Sequence, residues 1–381
     1  MNNNIQLPDY DRSILSISSS IMKYYGIESN YRSLDELDNI LKKEYKNIVY
    51  LILDCLGDNI LTEDLRENSM LKSNKITTVT SVFPPTTAAA TTAIHSGLSP
   101  LESGWVGWMP YFKEYNKAIE LFTGNDFYTD EKIIKGNELS DLNYETIYEK
   151  ICNANKNIKY HRCFPNFDKN GSKSFEELCQ KIKESCNNSD HNLVSAYWDD
   201  PDHTIHAAGT YSKEVKEVLK NIDKNLKKLS QELDDTLIIV TADHGATNVK
   251  EIYLNEIKEI DECLSFPPNI ESRFVNFFIK DGMKEQFVAA IEKHFKDKYI
   301  IYTKEEFLNS GLLGRGIPHP RINDYFGDYI VIMNKDVNIR YTITGNEFKS
   351  LLGDHSGLAK EEMIVPVITI ECSKKLAKKK Y

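Results

Sequence analysis

Thr236-Leu-Ile-Ile-Val-Thr-Ala-Asp-His-Gly245 decides the fold. Its apolar run lacks the in-out alternation of a half-exposed strand, so it reads as a strand buried on both faces, the situation of a parallel sheet covered by helices. Asp243 and His244 then stand at the carboxyl end of that strand. Three other segments follow the same grammar of an apolar strand leading into Asp, His or Thr. They are Asn47-Ile-Val-Tyr-Leu-Ile-Leu-Asp54, Val79-Thr-Ser-Val-Phe-Pro-Pro-Thr-Thr87, and Leu193-Val-Ser-Ala-Tyr-Trp-Asp-Asp-Pro-Asp202-His-Thr-Ile-His206. A fifth, Gly353-Asp-His355-Ser-Gly357, leads into the strand-like Met363–Ile370. In a doubly wound sheet, residues after the strands converge on one crevice however far apart they lie in the chain.

Working outward, strand candidates near 47–53, 76–83, 117–122, 157–163, 192–198, 236–241 and 363–370 alternate with helical stretches. This predicts an α/β protein, a doubly wound, mostly parallel sheet with helices on both faces. The clearest helix is 212–233, where Val215, Val218, Leu219, Ile222, Leu226 and Leu229 recur at helical period after Ser212 as N-cap. Tyr144–Ala154 and Ser174–Cys186 read as two more amphipathic helices. Between His244 and His355, Arg273–Ile279, a helix near 284–295, Tyr299–Tyr302 and a helix near 304–309 form a local α+β unit. The expected division is a core of 1–250 and 350–381 with an inserted cap at 251–349.

A chain of 381 residues can bury a sizeable core. Its net charge of −10 provides no basic footprint for a nucleic-acid polymer, and the one Lys cluster, Lys374–Lys380, reads as a solvated end. Met1-Asn-Asn-Asn-Ile5 shows neither the positive n-region nor the apolar h-region of a signal sequence, and no apolar stretch approaches the ~20 residues that cross a bilayer, so a cytoplasmic protein without a membrane partner is expected. Seven scattered cysteines without CxxC spacing read as reduced and structural. Oligomeric state has no signature here.

Asp54, Asp202 and Asp243 each follow a strand, and His206 lies four residues after Asp202, so one helical turn or a tight loop can aim both at one ion. Carboxylate and imidazole together suit zinc or manganese. Thr87 begins a short helix pattern, Ala88–Gly97, whose N-terminal amides and dipole would hold a phosphate-like anion, while a bound cation would lower the threonine pKa for attack.

Asp54, the Phe83-Pro-Pro-Thr-Thr87 turn, Pro201-Asp202-x-x-x-His206, Asp243-His244-Gly245 and His355 resemble, in order, the alkaline phosphatase superfamily, and within it the type I phosphodiesterase/nucleotide pyrophosphatase family. The resemblance implies one divalent metal held by Asp202, His206 and His355 and a second by Asp54, Thr87, Asp243 and His244. It also implies that Thr87 is the nucleophile of a hydrolase that cleaves phosphodiester or pyrophosphate bonds of a small-molecule substrate through a phospho-threonine. One departure stands out. Where the family carries an Asn that donates to a phosphoryl oxygen, this sequence has Trp108.

Each motif alone also fits a helix cap or turn; their occurrence together and in order favours the metal site. His203 reads as a loop histidine or a partner behind the ligands, His95 as a packed, hydrogen-bonded one, and Thr86 as the neighbour of the nucleophile. Trp105 and Trp108, with Tyr111 and Phe112, are candidates for a substrate wall, against ordinary core packing. His319 and Arg321 can reach over the pocket or merely steer a Pro-rich turn. The rival functions are a phosphomonoesterase, a phosphomutase and a metal-binding pseudoenzyme.

Overall fold

The computed structural model describes residues 4–343 and 349–373; the Lys374–Lys380 tail lies outside them. Its centre is a six-stranded sheet. The strands are β1 (Asn47–Leu53), β2 (Lys75–Thr80), β3 (Lys159–Cys163), β4 (Asn192–Trp198), β5 (Thr236–Thr241) and, beyond the small sheet described below, β10 (Ile364–Cys372). Their spatial order is β2-β10-β5-β1-β4-β3. β1 pairs in parallel with β4 and β5, opposing Asn47 to both Asn192 and Thr236, and β3 is parallel to β4. β10 runs antiparallel between β5 and β2. Helices flank this mostly parallel sheet, as the unalternating apolar runs require: every residue of β1 and β5 is buried.

Local chemistry accounts for the helices. Ser212 accepts from the Val215 N–H and starts Lys213–Glu232, whose buried stripe includes Val215, Leu219, Ile222, Leu226 and Leu229. Ser174 similarly caps Phe175–Cys186. The helix expected from Tyr144 begins instead at Ile147, because Thr146 and Glu149 form a capping box there. Tyr144 is thereby left outside the helix. Thr87–Ser96, here α1, follows β2 and ends at Gly97, whose φ of 71° supplies the left-handed turn.

A second, four-stranded antiparallel sheet lies between β5 and β10 in sequence. It comprises β6 (Leu264–Ile270), β7 (Phe274–Ile279), β8 (Tyr299–Thr303) and β9 (Tyr329–Met333), in the order β6-β7-β9-β8. The strand expected at 117–122 is corrected here. Only Lys117–Ala118 is extended, paired with Tyr111–Phe112 in a separate hairpin outside the central sheet. Gly124 turns the chain back onto Glu120, and the apolar Ile119 and Leu121 pack against the small sheet, with Phe274, Phe307 and Ile332 in the same cluster. Among the described residues no helix is long and apolar enough to cross a membrane.

Candidate active site

The carboxyl ends of β1, β4 and β5 meet above the sheet. Asp54 directly follows β1, and Asp243 and His244 follow β5. Asp202 and His206 lie on one face of the short helix Asp202–Ala208 after β4. Gly245 allows the close packing here: a Cβ on it would lie 2.1 Å from the Glu361 carbonyl oxygen and 2.8 Å from the Gly57 Cα. His355 enters from the segment preceding β10, and Thr87 is the first residue of α1, with Thr86 as its N-cap.

Two ligand sets result, Asp202 with His206 and His355, and Asp54 with Asp243 and His244. His206 Nε2 is 3.2 Å from Asp202 Oδ2, and His355 Nε2 is 3.6 Å from Asp202 Oδ1. His244 Nε2 is 3.4 Å from both Asp54 Oδ1 and Asp243 Oδ2. On the far side of each ring, Nδ1 faces a backbone carbonyl: Gly353 for His206, Gly245 for His244 and Pro85 for His355. A carbonyl can only accept, so each Nδ1 carries a proton, and the Nε2 atoms of His244 and His355, whose rings burial keeps neutral, present lone pairs to the carboxylates. Asp54 Oδ1, Asp202 Oδ1 and Asp243 Oδ2 are buried with no hydrogen-bond partner. Acceptors facing acceptors at such distances suit a cation between them, and the ligand-to-ligand edges of tetrahedral zinc are about 3.3 Å. The His244 and His355 rings, one from each set, stack with centroids 3.9 Å apart, which makes the two sites neighbours.

Electrostatics follow from this crowding. Burial, reinforced by Asp243 and Asp202, holds the Asp54 carboxyl well above its usual range, and burial pushes Asp243 up to about 6. Burial would also raise Asp202, but His206 outweighs it and holds that carboxyl below the ordinary value. His206 in turn is raised to about 10, because Asp202 overcomes the opposing effect of burial. Burial lowers His244 and His355 to about 4. Cys55 also lies within ligand reach of Asp202 and His244, but burial raises its thiol far above the range in which it would ionise. Thr87 Oγ1 stands over the second set, 3.4 Å from Asp54 Oδ2 and 3.2 Å from His244 Nε2.

A cavity of about 800 Å³ opens beside Thr87. Trp108, Phe122, Tyr144, Tyr148, Phe164 and Phe167 form much of its lining. Of the two tryptophans singled out in the sequence, Trp108 therefore lines the cavity. Trp105 does not; its indole donates to the Leu142 carbonyl and its ring packs on Phe122. Tyr111 packs on Phe266 and Phe278, and Phe112 on Tyr325. Arg321 pairs with Asp141 and Glu114, and His319 bonds to the Asp141 carbonyl, so both fasten the chain instead of facing the cavity. His95 lines the cavity wall, its Nδ1 3.0 Å from the Tyr148 hydroxyl. His203, expected in a loop, lies instead in the helix Asp202–Ala208 and belongs to neither ligand set.

Two contributors were not legible in the sequence. The Tyr197 hydroxyl donates to Asp54 Oδ2, and its one available signal was its place near the end of a strand that leads to Asp202. Glu271, from the turn between β6 and β7, accepts from Thr86 Oγ1 and the Trp108 N–H. Nothing local marks it.

Residues 49–358 match the family described as type I phosphodiesterase/nucleotide pyrophosphatase. Ectonucleotide pyrophosphatase/phosphodiesterase family member 7 of Rattus norvegicus is 26% identical over 171 residues, 40% of this chain and 37% of that protein. The Mus musculus protein of the same name is 29% identical over 131 residues, 31% of this chain and 29% of that protein. The chain thus matches only about a third of the length of these curated relatives. Among solved structures, an inactive form of murine ectonucleotide pyrophosphatase/phosphodiesterase 5 in complex with AMP aligns with a TM-score of 0.63 at 20% identity, over 87% of this chain and 91% of that one. Phosphonoacetate hydrolase of Sinorhizobium meliloti, in complex with phosphonoformate, aligns at 0.61 and 15% identity, over 88% and 91%. The fold is shared with both.

Proposed function

We propose, because this chain belongs to the type I phosphodiesterase/nucleotide pyrophosphatase family, that it is a two-metal hydrolase which cleaves a phosphodiester or pyrophosphate bond through a phospho-threonine on Thr87. The observation that carries this reading is the set of three buried, unpartnered carboxylate oxygens that face the imidazole Nε2 lone pairs beside the Thr87 hydroxyl. Asp202, His206 and His355 would hold one cation, and Asp54, Asp243, His244 and Thr87 the other. Two such cations, zinc before manganese for this mixed ligand set, supply Lewis acidity and lower the pKa of a coordinated hydroxyl.

The protein's own groups would do the rest. Thr87 Oγ1 directs its proton toward Asp54 Oδ2 and attacks phosphorus in line; the Oγ–P bond forms as the bond to the leaving oxygen breaks. The free N–H groups at the start of α1 suit the phosphoryl oxygens. Water then displaces Thr87 and restores its hydroxyl. Tyr197 orients Asp54 throughout, and the aromatic cavity accepts the ester substituent. The AMP held by the murine structure makes nucleotide esters the first natural candidates.

A diester is favoured over a monoester by the charges around the cavity. The one Arg in its lining, Arg162, is paired with Asp168, and burial lowers His95 to about 4, so neither supplies a free cation for the extra charge of a monoester. Hydrolysis of bis-p-nitrophenyl phosphate and of p-nitrophenyl phosphate by zinc- and manganese-reconstituted protein tests this, with Thr87→Ala as control. The diester should be preferred and the variant inactive with its metals bound. Preference for the monoester would replace the assignment with a phosphatase or mutase, and activity in the variant would remove Thr87 from the mechanism.

A further inference from the structure

Glu271 belongs to a turn of the small sheet, yet its carboxyl lies at the active site. One oxygen, Oε1, accepts from Thr86 Oγ1 at 2.8 Å and from the Trp108 N–H at 2.7 Å. Thr86 is the N-cap of the nucleophile's helix, but its side chain makes no capping bond. Its hydroxyl is engaged by Glu271 instead. Trp108 presents its side chain to the cavity. One carboxyl oxygen therefore ties the residue before the nucleophile to a wall of the substituent pocket.

The turn that carries Glu271 is held from several sides. Met109 and Ile270 exchange backbone hydrogen bonds of 3.2 and 3.0 Å. Gly107 permits that approach, since a Cβ on it would lie 2.7 Å from Ile270 Cγ2 and 3.1 Å from Glu271 Cγ. Ser272 Oγ donates to Asp354 Oδ2 at 2.6 Å and the Arg273 N–H to Ser356 Oγ at 3.3 Å, on either side of His355. Ile270 has a φ of 82°, a conformation a β-branched residue adopts only when its surroundings impose it.

We propose that Glu271 is a positioning residue for phosphoryl transfer, holding Thr87 and Trp108 in one frame so that attack geometry and pocket geometry are set together. Its kinetic consequence rests on the hydrolase reading above. Burial pushes the Glu271 carboxyl up to about 8 against the opposing pull of its bonds from Thr86 and Trp108, so the neutral acid predominates at neutral pH. A glutamine offers the same acceptor oxygen without charge. A displacement of about 1 Å at a reacting group can cost on the order of a hundredfold in rate.

The test compares wild type, Glu271→Gln, Glu271→Ala, Thr86→Val and the Thr86→Val/Glu271→Ala double variant, all metal-reconstituted. Diester kinetics, thermal melting and amide hydrogen exchange are measured on each. Glu271→Ala should lower kcat roughly 10- to 100-fold with KM for a small diester within about threefold, and speed exchange at Trp108 and the start of α1. Glu271→Gln should restore both, and the double variant should be no worse than Glu271→Ala, because the two groups act through one bond. Wild-type kcat in Glu271→Ala would overturn the proposal, as would a Gln variant as impaired as the Ala variant. So would a loss that merely follows the folded fraction. If wild type cleaves no phosphate ester, the hydrolase reading fails separately; exchange then decides, and an unchanged Trp108 amide in Glu271→Ala sinks the positioning role.

Discussion

The ligand cluster and the aromatic cavity share a border at Thr87 and Tyr197, yet they are built by opposite rules. In the cluster each buried oxygen and ring nitrogen must be matched by opposite charge or a proton, so both the residue type and the atom it presents are constrained. In the cavity, π faces and volume do the work, and one aromatic ring can often replace another. Damage to the cluster should therefore appear in kcat and metal content. Damage to the cavity should appear in KM and in the choice of substituent.

Chelation is the harshest test of that division. Exhaustive removal of divalent metal should abolish turnover and lower the melting temperature by roughly 5 °C or more, since buried like charges lose their counter-ions, and zinc should restore both. Activity that survives with metal content near zero would remove the basis for treating the two regions differently. Next in size, His355→Ala should reduce bound metal from two ions to one and lower kcat by roughly 100-fold or more, read by elemental analysis beside kinetics. Two ions retained at full rate would break the assignment of His355. In the cavity, Trp108→Ala should raise KM for aryl diesters about tenfold while kcat stays within about threefold. A pure kcat effect would show that the cavity belongs to the chemistry after all.

The smallest effect concerns Glu271, which joins the regions. A carboxyl whose folded pKa is raised contributes no penalty below its unfolded value near 4.5 and costs stability progressively as pH rises toward about 8. Glu271→Gln removes that titration. Its melting temperature relative to wild type should therefore climb by a degree or two between about pH 5 and pH 8. A constant difference across that window would show that Glu271 is not a buried, titrating group.

Much of the central sheet was legible because burial on both faces leaves no alternation to obscure an apolar run, as in β1 and β5. Asp202 and His206 could be paired because one helical turn fixes their relation. The 117–122 segment misled, since an apolar run at strand length also suits a hairpin packed on a second sheet. Tyr197 and Glu271 carried no motif, because their partners Asp54, Thr86 and Trp108 are 143, 185 and 163 residues away in the chain.

By itself the sequence determined that Asp54, Asp202, Asp243 and His244 follow buried strands and carry cation-binding groups, for an apolar run and side-chain chemistry are local properties. Only the tertiary structure decided that Trp108 and not Trp105 lines the cavity, that Phe122, Tyr144 and Phe164 share it, and that a turn of the small sheet reaches the start of α1. Those outcomes depend on how separate elements pack. Packing sums many weak, non-directional contacts between segments distant in the chain, and it leaves no period or spacing in the sequence to read.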